Sequence, residues 1–181
     1  MDYITTYTGE NFVPTDPDIN QIHIEDIAHA LSLMCRANGH FKKFYSIAQH
    51  SINCYNEAKA RSHSEKVQMA CLLHDASEAY LSDITRPVKK HLSKYQEIEK
   101  NLQRVIFYKF LSSPLTDDEA TQVEKVDYDM LVYEFDALMR TKRIFNHTPT
   151  IISDPKTDFR DFSVVESDFI RIYKETSNAI Y

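Results

Sequence analysis

The chain has 181 residues, a formal net charge of −6 and a pI near 5.7. This length suits a single domain, here residues 1–181, that can bury a continuous core. The acidic balance argues against binding to duplex nucleic acid, because proteins that do so normally present a basic face. The two glycines, Gly9 and Gly39, are too few for the glycine-rich phosphate loops of nucleotide-binding folds.

The N-terminal residues contain no basic region followed by an apolar run, and no segment reaches 18 consecutive apolar residues. We therefore expect a cytoplasmic protein without a signal peptide and without a membrane partner. Cys35, Cys54 and Cys71 lack CxxC spacing and fall in apolar helical patterns, which favours reduced cysteines in the core.

The first 24 residues alternate apolar and polar positions around a turn at Gly9-Glu10-Asn11, which predicts a short hairpin or extended arm. Helical spacing of apolar residues then predicts a helix from Glu25 to Cys35, and Asn38-Gly39 should end the helical segment. The same spacing predicts a long helix over residues 94–111.

Four Ser or Thr residues are each followed three positions later by Glu or Gln, the pattern of a capping box at a helix start. These pairs are Ser46 with Gln49, Ser62 with Glu65, Thr116 with Glu119, and Ser163 with Glu166. The second of these helices should continue through the HDASE string, and the third should reach about Arg143. The chain is thus predicted to be an all-α, single-domain helical bundle with a short N-terminal hairpin or arm.

Chemistry is indicated first by the segment ACLLHDASEAYLSD, at positions 70–83. His74 and Asp75 offer an imidazole and a carboxylate, a pair that can bind a divalent cation, and Glu78 one helical turn later could transfer a proton. An isolated His-Asp pair is more often a buried helix with a hydrogen-bonded histidine. The metal hypothesis therefore requires partners elsewhere in the chain.

Two residues on other predicted helices meet this requirement. His50 lies on the apolar face of the second helix, in SIAQHS. Asp127 shares the apolar face of the helix after Thr116, where an unpaired carboxylate would be costly to bury, so we select it as the fourth ligand. Asp129 projects to a more polar side and is interpreted as a surface residue or an outer partner. His40, in the loop before the second helix, is a further candidate for the phosphate site.

The strings FYSIAQHS, LLHDASEAYLSDITRPVKK and VEKVDYDMLVYE resemble the HD-domain metal-dependent phosphohydrolases. They are especially similar to small bacterial 5′-deoxynucleotidases and their phage- and prophage-borne relatives. The resemblance spans about residues 20–140. It implies an HD-type helical fold and one divalent ion, with Co²⁺, Mn²⁺ or Mg²⁺ expected first and Zn²⁺ or Fe²⁺ as alternatives.

The resemblance also implies roles for single residues. His50, His74, Asp75 and Asp127 match the metal ligands of the family, and Glu78 matches a carboxylate implicated in catalysis. By the same resemblance, Asp83 should contact a sugar hydroxyl and Arg36 should contact a phosphate. Lys89 is a weaker candidate for a phosphate contact. Ala37 departs from the pattern, because some deoxynucleotidases have a tryptophan there, so the base and sugar preference is left open.

The leading hypothesis is an enzyme that removes phosphate from a nucleotide, most readily a deoxynucleoside 5′-phosphate. Attack of water at the α-phosphorus fits a (d)NTP triphosphohydrolase or a stepwise di- and triphosphate hydrolase equally well, so both stay open. A metal- or nucleotide-binding sensor without activity is the third hypothesis. The expected partner is a small nucleotide, and a homodimer is an open alternative to a monomer.

Overall fold

The computed structural model describes residues 2–141 and 145–180, and it is an α-helical bundle with one small hairpin. Two short strands, β1 (Ile4–Thr5) and β2 (Asn11–Phe12), pair antiparallel with Ile4 opposite Phe12. The helices are α1 (Ile24–Leu33), α2 (Ile47–Ala60), α3 (Glu65–Leu73), α4 (Glu78–Leu81), α5 (Arg86–Lys89), α6 (Ser93–Leu111), α7 (Asp117–Leu138) and α8 (Phe162–Ile180). Short 3₁₀ turns cover Ile19–Gln21 and Arg36–Gly39. The predicted all-α class with an N-terminal hairpin is confirmed.

The core is formed mainly where α2 and α3 pack against each other and against α1, α7 and α8. Fully buried aliphatic and aromatic side chains from these helices form one continuous cluster that includes Ile27, Leu72, Met130 and Phe169. Burial of such side chains is the main source of stability for a helical bundle. This cluster lies next to the polar residues of the site and holds α2, α3 and α7 in fixed positions.

The hairpin is attached to the first turn of α1 through the buried side chain of Asp26. Its two carboxylate oxygens accept hydrogen bonds from the backbone N–H and the hydroxyl of Thr8, at 2.7 and 2.9 Å. Phe12 is fully buried and packs against the ring of Tyr80, with ring centroids 4.4 Å apart. The N-terminal arm is therefore part of the packed domain.

The predicted helix starts are correct to within a few residues, but the caps differ. Thr116 and Glu119 form the expected capping box at the start of α7. Ser46 caps α2. Ser64 rather than Ser62 caps α3, because Ser62 adopts a left-handed backbone with φ of 60°. Near the start of α8 the carboxylate of Asp161 accepts the backbone N–H of Ser163.

Two helix ends were predicted too late. α1 ends at Leu33, and α7 ends at Leu138, five residues before the predicted end at position 143, which lies outside the described residues. The HDASE string does not continue α3 either, because α3 ends at Leu73 and residues 74–77 form a turn before α4.

The break after Leu73 has a clear physical cause in the side chain of Gln103 on α6. Its amide nitrogen donates to the Leu73 carbonyl at 2.7 Å, and its amide oxygen accepts the backbone N–H of Ser77 at 3.0 Å. The Leu73 carbonyl, which also accepts the backbone N–H of Ala76 at 3.0 Å, and the N–H of Ser77 thus stay hydrogen-bonded although they do not bond to each other. In the described part of the chain, no helix is both long enough and apolar enough to cross a bilayer.

Candidate metal centre

Three helices bring four side chains to one point between α2, α3 and α7. His50 comes from the middle of α2, His74 and Asp75 from the turn after α3, and Asp127 from α7. The Nε2 atoms of the two histidines lie 3.2 Å apart. The Oδ1 atom of Asp127 is 3.2 Å from Nε2 of His50 and 3.6 Å from Nε2 of His74. The Oδ2 atom of Asp75 is 3.3 Å from Nε2 of His74.

The outer nitrogens of both rings are fixed by hydrogen bonds. Nδ1 of His50 lies 2.8 Å from the carboxylate of Glu134, and Nδ1 of His74 lies 2.8 Å from the Cys71 carbonyl. A carboxylate and a carbonyl only accept hydrogen bonds, so each Nδ1 carries a proton and each Nε2 faces inward, where it offers a lone pair to an ion once it is deprotonated. This arrangement is typical of histidines that bind a metal.

The donor set fits a divalent cation. Two imidazole Nε2 atoms and two carboxylates face one another within 3.2 to 3.8 Å. Ligand atoms about 2.1 Å from a shared ion lie about 3 Å from one another when they are at right angles. A cation could therefore bind between these groups in place of the Nε2 protons, and mixed imidazole and carboxylate ligands accept several divalent metals.

Cys54 is a further donor next to these ligands. It lies one turn after His50 on α2, is fully buried, and its sulfur is 3.5 Å from Nε2 of His50. His50, Cys54, His74 and Asp127 each offer one ligand atom, and these four atoms all lie within 4.8 Å of one another. Burial raises the pKa of the Cys54 thiol well above its usual value, as do the charges of Asp127 and Glu134. We therefore keep Asp75 as the fourth ligand, since its carboxylate is charged.

Arg36 faces the cluster from the 3₁₀ turn that follows α1. Its guanidinium nitrogens lie 3.3 Å from Asp75 and 3.7 Å from Asp127, and only a small part of its side chain is exposed. Burial alone would lower the pKa of Arg36. The nearby carboxylates, of which Glu134 has the largest effect, outweigh burial and raise this pKa above its ordinary value. Arg86 reaches the other oxygen of Asp127 at 3.0 Å from an exposed position on α5.

Hydrogen bonds and positive charge determine the ionisation of the two aspartates. Burial by itself would raise the pKa of Asp127, but hydrogen bonds from His50 and His74 hold it well below its usual value. The pKa of Asp75 is likewise lowered despite burial, chiefly by the charge and hydrogen bond of His74 and by Arg36. Both side chains are therefore carboxylates at neutral pH, the form that binds a cation.

Glu78 begins α4 next to the cluster and is almost completely buried. Burial, together with the negative charges of Asp75 and Asp83, raises its pKa to about 9. Its Oε2 atom has no hydrogen-bond partner in the described structure. Lys89 approaches Glu78 at 3.9 Å and pairs more closely with Glu99, at 2.6 Å. The position and partners of Glu78 leave one oxygen free for a water or a substrate.

Two cavities open beside the candidate ligands. One, of about 440 Å³, is lined by Arg36, Asp75, Asp83, Arg86, Asp127 and Phe135, among others. The second, of about 570 Å³, extends from His74 and Glu78 along α6 and includes Lys89, Lys100, Arg104 and Phe107 in its walls. Both share Asp75, Glu78 and Lys89, so the candidate ligands lie between them.

Most of the sequence-predicted site residues come together, and His40 is the exception. His40 is exposed and lines a different surface cavity with Met139 and Arg140, because the loop turns it away from the cluster. Asp129 is not a surface residue. It is 2% exposed, since Arg61 and His147 cover its carboxylate at 2.9 and 2.8 Å.

Sequence reasoning missed three residues that contact the cluster: Cys54, Arg86 and Glu134. Glu134 had the clearest signal. It lies on the same apolar face of α7 as Asp127, and the cost of burying an unpaired carboxylate applies to both.

A protein-family model for the HD domain matches residues 39–143. The chain belongs to the HD domain family. It is 35% identical over 134 residues to the uncharacterized protein YfdR of Escherichia coli (strain K12), covering 74% of this chain and 71% of that protein. It is also 39% identical over 109 residues to an uncharacterized protein of Rhodobacter capsulatus, covering 57% of this chain and 55% of that protein.

Membership of the HD domain family indicates a metal-dependent phosphohydrolase, because proteins of this family are generally hydrolases that bind divalent metals. The matched segment contains His50, His74, Asp75 and Asp127. The cluster in the structure is thus a candidate site for the metal that the family implies.

Proposed function

We propose that this protein is a metal-dependent phosphohydrolase that releases inorganic phosphate from nucleoside 5′-phosphates, with deoxynucleotides as the preferred class. The observation that supports this most strongly is the convergence of His50, His74, Asp75 and Asp127 with both Nε2 atoms directed inward. These four residues would hold one divalent ion. Such an ion supplies a Lewis acid that polarises a phosphoryl oxygen and lowers the pKa of a water.

The other residues of the site have roles that follow from their charge. Arg36 and Arg86 lie beside Asp127 and can neutralise phosphate oxygens as negative charge builds up. Glu78 has a free oxygen near the ligands and is placed to exchange a proton with the attacking water or with the leaving oxygen. Water adds to the phosphorus, the P–O5′ bond breaks, and the sugar oxygen leaves with a proton.

The cavity of about 440 Å³ is the better candidate for the nucleoside. Asp83 lines it beside Arg36, and a half-buried carboxylate can accept a hydrogen bond from a sugar hydroxyl. Burial raises the pKa of Asp83. Phe135 and Phe145 add apolar surface on which a base can pack. The likeness of the sequence motifs to 5′-deoxynucleotidases supports the same assignment.

A second candidate function, hydrolysis of a (d)NTP with release of tripolyphosphate, is favoured by the other cavity. Lys89, Lys100 and Arg104 line it and provide positive charge next to His74 and Asp75. A polyphosphate leaving group needs such charge. Phe107, Pro114 and Leu115 make much of the remaining wall apolar, which suits a triphosphate less well and ranks this function second.

The experiment that tests the proposal is product analysis on ribo- and deoxynucleoside mono-, di- and triphosphates with Co²⁺, Mn²⁺ or Mg²⁺. EDTA and Glu78→Ala serve as controls. We expect metal-dependent phosphate from deoxynucleoside monophosphates and little product in either control. Tripolyphosphate from triphosphates would replace the first proposal by the second. No metal-dependent product from any nucleotide would contradict both and support a binding protein without activity.

A further inference from the structure

Glu134 is a fully buried carboxylate on α7, two helical turns after Asp127. The two residues share one face of the helix because seven residues span about two turns. A buried carboxylate is tolerated only when its oxygens are hydrogen-bonded or paired with positive charge. The partners of Glu134 therefore indicate why it is there.

The two oxygens of Glu134 bind different parts of the site. Oε1 accepts hydrogen bonds from the Tyr45 hydroxyl at 2.5 Å and from Nδ1 of His50 at 2.8 Å. Oε2 accepts a hydrogen bond from Nε of Arg36 at 3.1 Å. One carboxylate thus contacts a candidate metal ligand and the arginine expected at the phosphate. In the described structure the Tyr45 hydroxyl is itself held by Asn53, which donates to it at 2.8 Å.

We propose that Glu134 is a positioning residue that couples metal binding to phosphate recognition. This inference rests on the proposed function, since it assigns the ion to His50 and the phosphate to Arg36. Glu134 keeps the proton of His50 on Nδ1 and so leaves Nε2 free for the ion. It also fixes the guanidinium of Arg36, whose outer nitrogens then face Asp75 and Asp127.

Replacement by glutamine separates these roles from simple packing, because Glu134→Gln keeps the shape and removes the charge. A carboxamide has one accepting oxygen and one donating nitrogen. Its nitrogen would face either Nδ1–H of His50 or Nε–H of Arg36, placing donor against donor. A His50 ring that changes tautomer to avoid this would direct an N–H toward the metal position.

The test is isothermal titration of metal-free protein with Mn²⁺ alone, followed by KM and kcat for deoxynucleoside monophosphates. For Glu134→Gln we expect Mn²⁺ affinity to fall about 10- to 100-fold, the range for loss of a partner that orients a metal-bound histidine. KM should rise in the same variant. Arg36→Lys should raise KM while its Mn²⁺ affinity stays within about threefold of wild type. In the double variant, the effects of Glu134→Gln and Arg36→Lys on KM should be less than additive.

Glu57→Gln is the matched control. Glu57 is also fully buried and also binds an arginine, but it lies outside the cluster and both cavities. It should lower the unfolding temperature in EDTA without weakening Mn²⁺ binding. If Glu134→Gln does not fold, Glu134→Asp keeps the charge on a shorter side chain that cannot reach both partners, and its Mn²⁺ affinity should fall by a smaller factor.

Wild-type Mn²⁺ affinity in a folded Glu134 variant would overturn the inference, and so would an equal loss in Glu57→Gln. The Mn²⁺ titration does not depend on turnover. A wild-type protein that binds Mn²⁺ but hydrolyses no nucleotide would refute the proposed function, while the metal affinities of the variants would still decide the role of Glu134.

Discussion

The same two helices, α2 and α7, carry two buried polar networks of opposite character. One contains the candidate ligands, with His50 on α2 and Asp127 on α7. The other contains Glu57 near the end of α2 and Asp129 on α7, joined by Arg61. Asp127 and Asp129 are two residues apart, yet they enter different networks because they point to different faces of α7.

In the second network the carboxylate oxygens meet hydrogen-bond donors. Glu57 accepts from Arg61, from the backbone N–H of Ile152 and from both the N–H and the hydroxyl of Ser153. Asp129 accepts from Arg61 and His147. These bonds attach the segment between α7 and α8 to the bundle.

In the first network two imidazole nitrogens and two carboxylates converge on one point. Nε2 of His50 lies 3.2 Å from both Nε2 of His74 and Oδ1 of Asp127. Burial alone therefore does not distinguish a functional carboxylate from a structural one. The distinction lies in what the oxygens meet. Those of the second network meet N–H and O–H donors that stabilise the fold, whereas those of the first converge with two imidazoles that can exchange an Nε2 proton for a cation.

The largest expected effect is the difference in catalytic activity between the Asp127→Asn and Asp129→Asn variants. Asp127→Asn should lower kcat/KM by about 10³-fold or more, because a ligand is lost and metal catalysis contributes several kcal/mol. Asp129→Asn should keep the turnover of folded protein within about fivefold of wild type. Steady-state kinetics at saturating Mn²⁺ measures both, and the reverse ranking would contradict the comparison.

The next effect is stabilisation by metal. At a free Mn²⁺ concentration of 100 times Kd, wild type should gain about 2.7 kcal/mol of unfolding free energy over protein in EDTA. Asp129→Asn should gain the same increment, whereas His74→Ala and Asp127→Asn should gain almost none. Thermal unfolding with and without EDTA provides the measurement. An equal gain in all four proteins would place the ion elsewhere.

A somewhat smaller effect concerns stability without metal. In EDTA, Asp129→Asn should lower the free energy of unfolding by about 2 kcal/mol, because the buried guanidinium of Arg61 loses one of its two carboxylate partners. Asp127→Asn should cost less, since Arg36 keeps its contacts with Asp75 and Glu134, and Arg86 is exposed to solvent. Urea denaturation would contradict this account if Asp127→Asn were the less stable variant.

The smallest effect is the acid sensitivity of the second network. Burial alone would raise the pKa of Glu57, but hydrogen bonds from Ser153, Arg61 and Ile152 lower it. A native pKa below the unfolded value means that this stabilisation is complete above about pH 5 and is lost as the pH falls through the lowered native pKa. The stability difference between wild type and Glu57→Gln should therefore shrink on acidification, as urea titrations at several pH values would show. A constant difference would mean that Glu57 contributes by shape alone.

Much of the fold follows from local patterns in the sequence. The periodicity of α6 and the capping box of Thr116 and Glu119 depend on residues a few positions apart, and both match the structure closely. The break after Leu73 could not be predicted in this way, because the side chain that permits it, Gln103, is 30 residues away in the chain. The early end of α7 likewise has no local signal.

In the candidate site, too, local patterns predict some of the positions, while contacts between distant residues determine the others. The apolar face of α7 correctly brings Asp127 toward His50 and His74. The same reasoning did not reveal the partners of Glu134, because Arg36 is 98 positions away. It left Asp129 as either a surface residue or an outer partner, because the residues that cover its carboxylate, Arg61 and His147, are distant in the chain.

The central claim is that the converging imidazoles and carboxylates of His50, His74, Asp75 and Asp127 bind a divalent ion. Calorimetric titration of metal-free protein with Mn²⁺, on wild type, Asp127→Asn and Asp129→Asn, tests it most directly. We expect one ion per chain for wild type and Asp129→Asn, and at least about 100-fold weaker binding for Asp127→Asn. Equal binding by all three proteins, or no binding by wild type, would contradict the account.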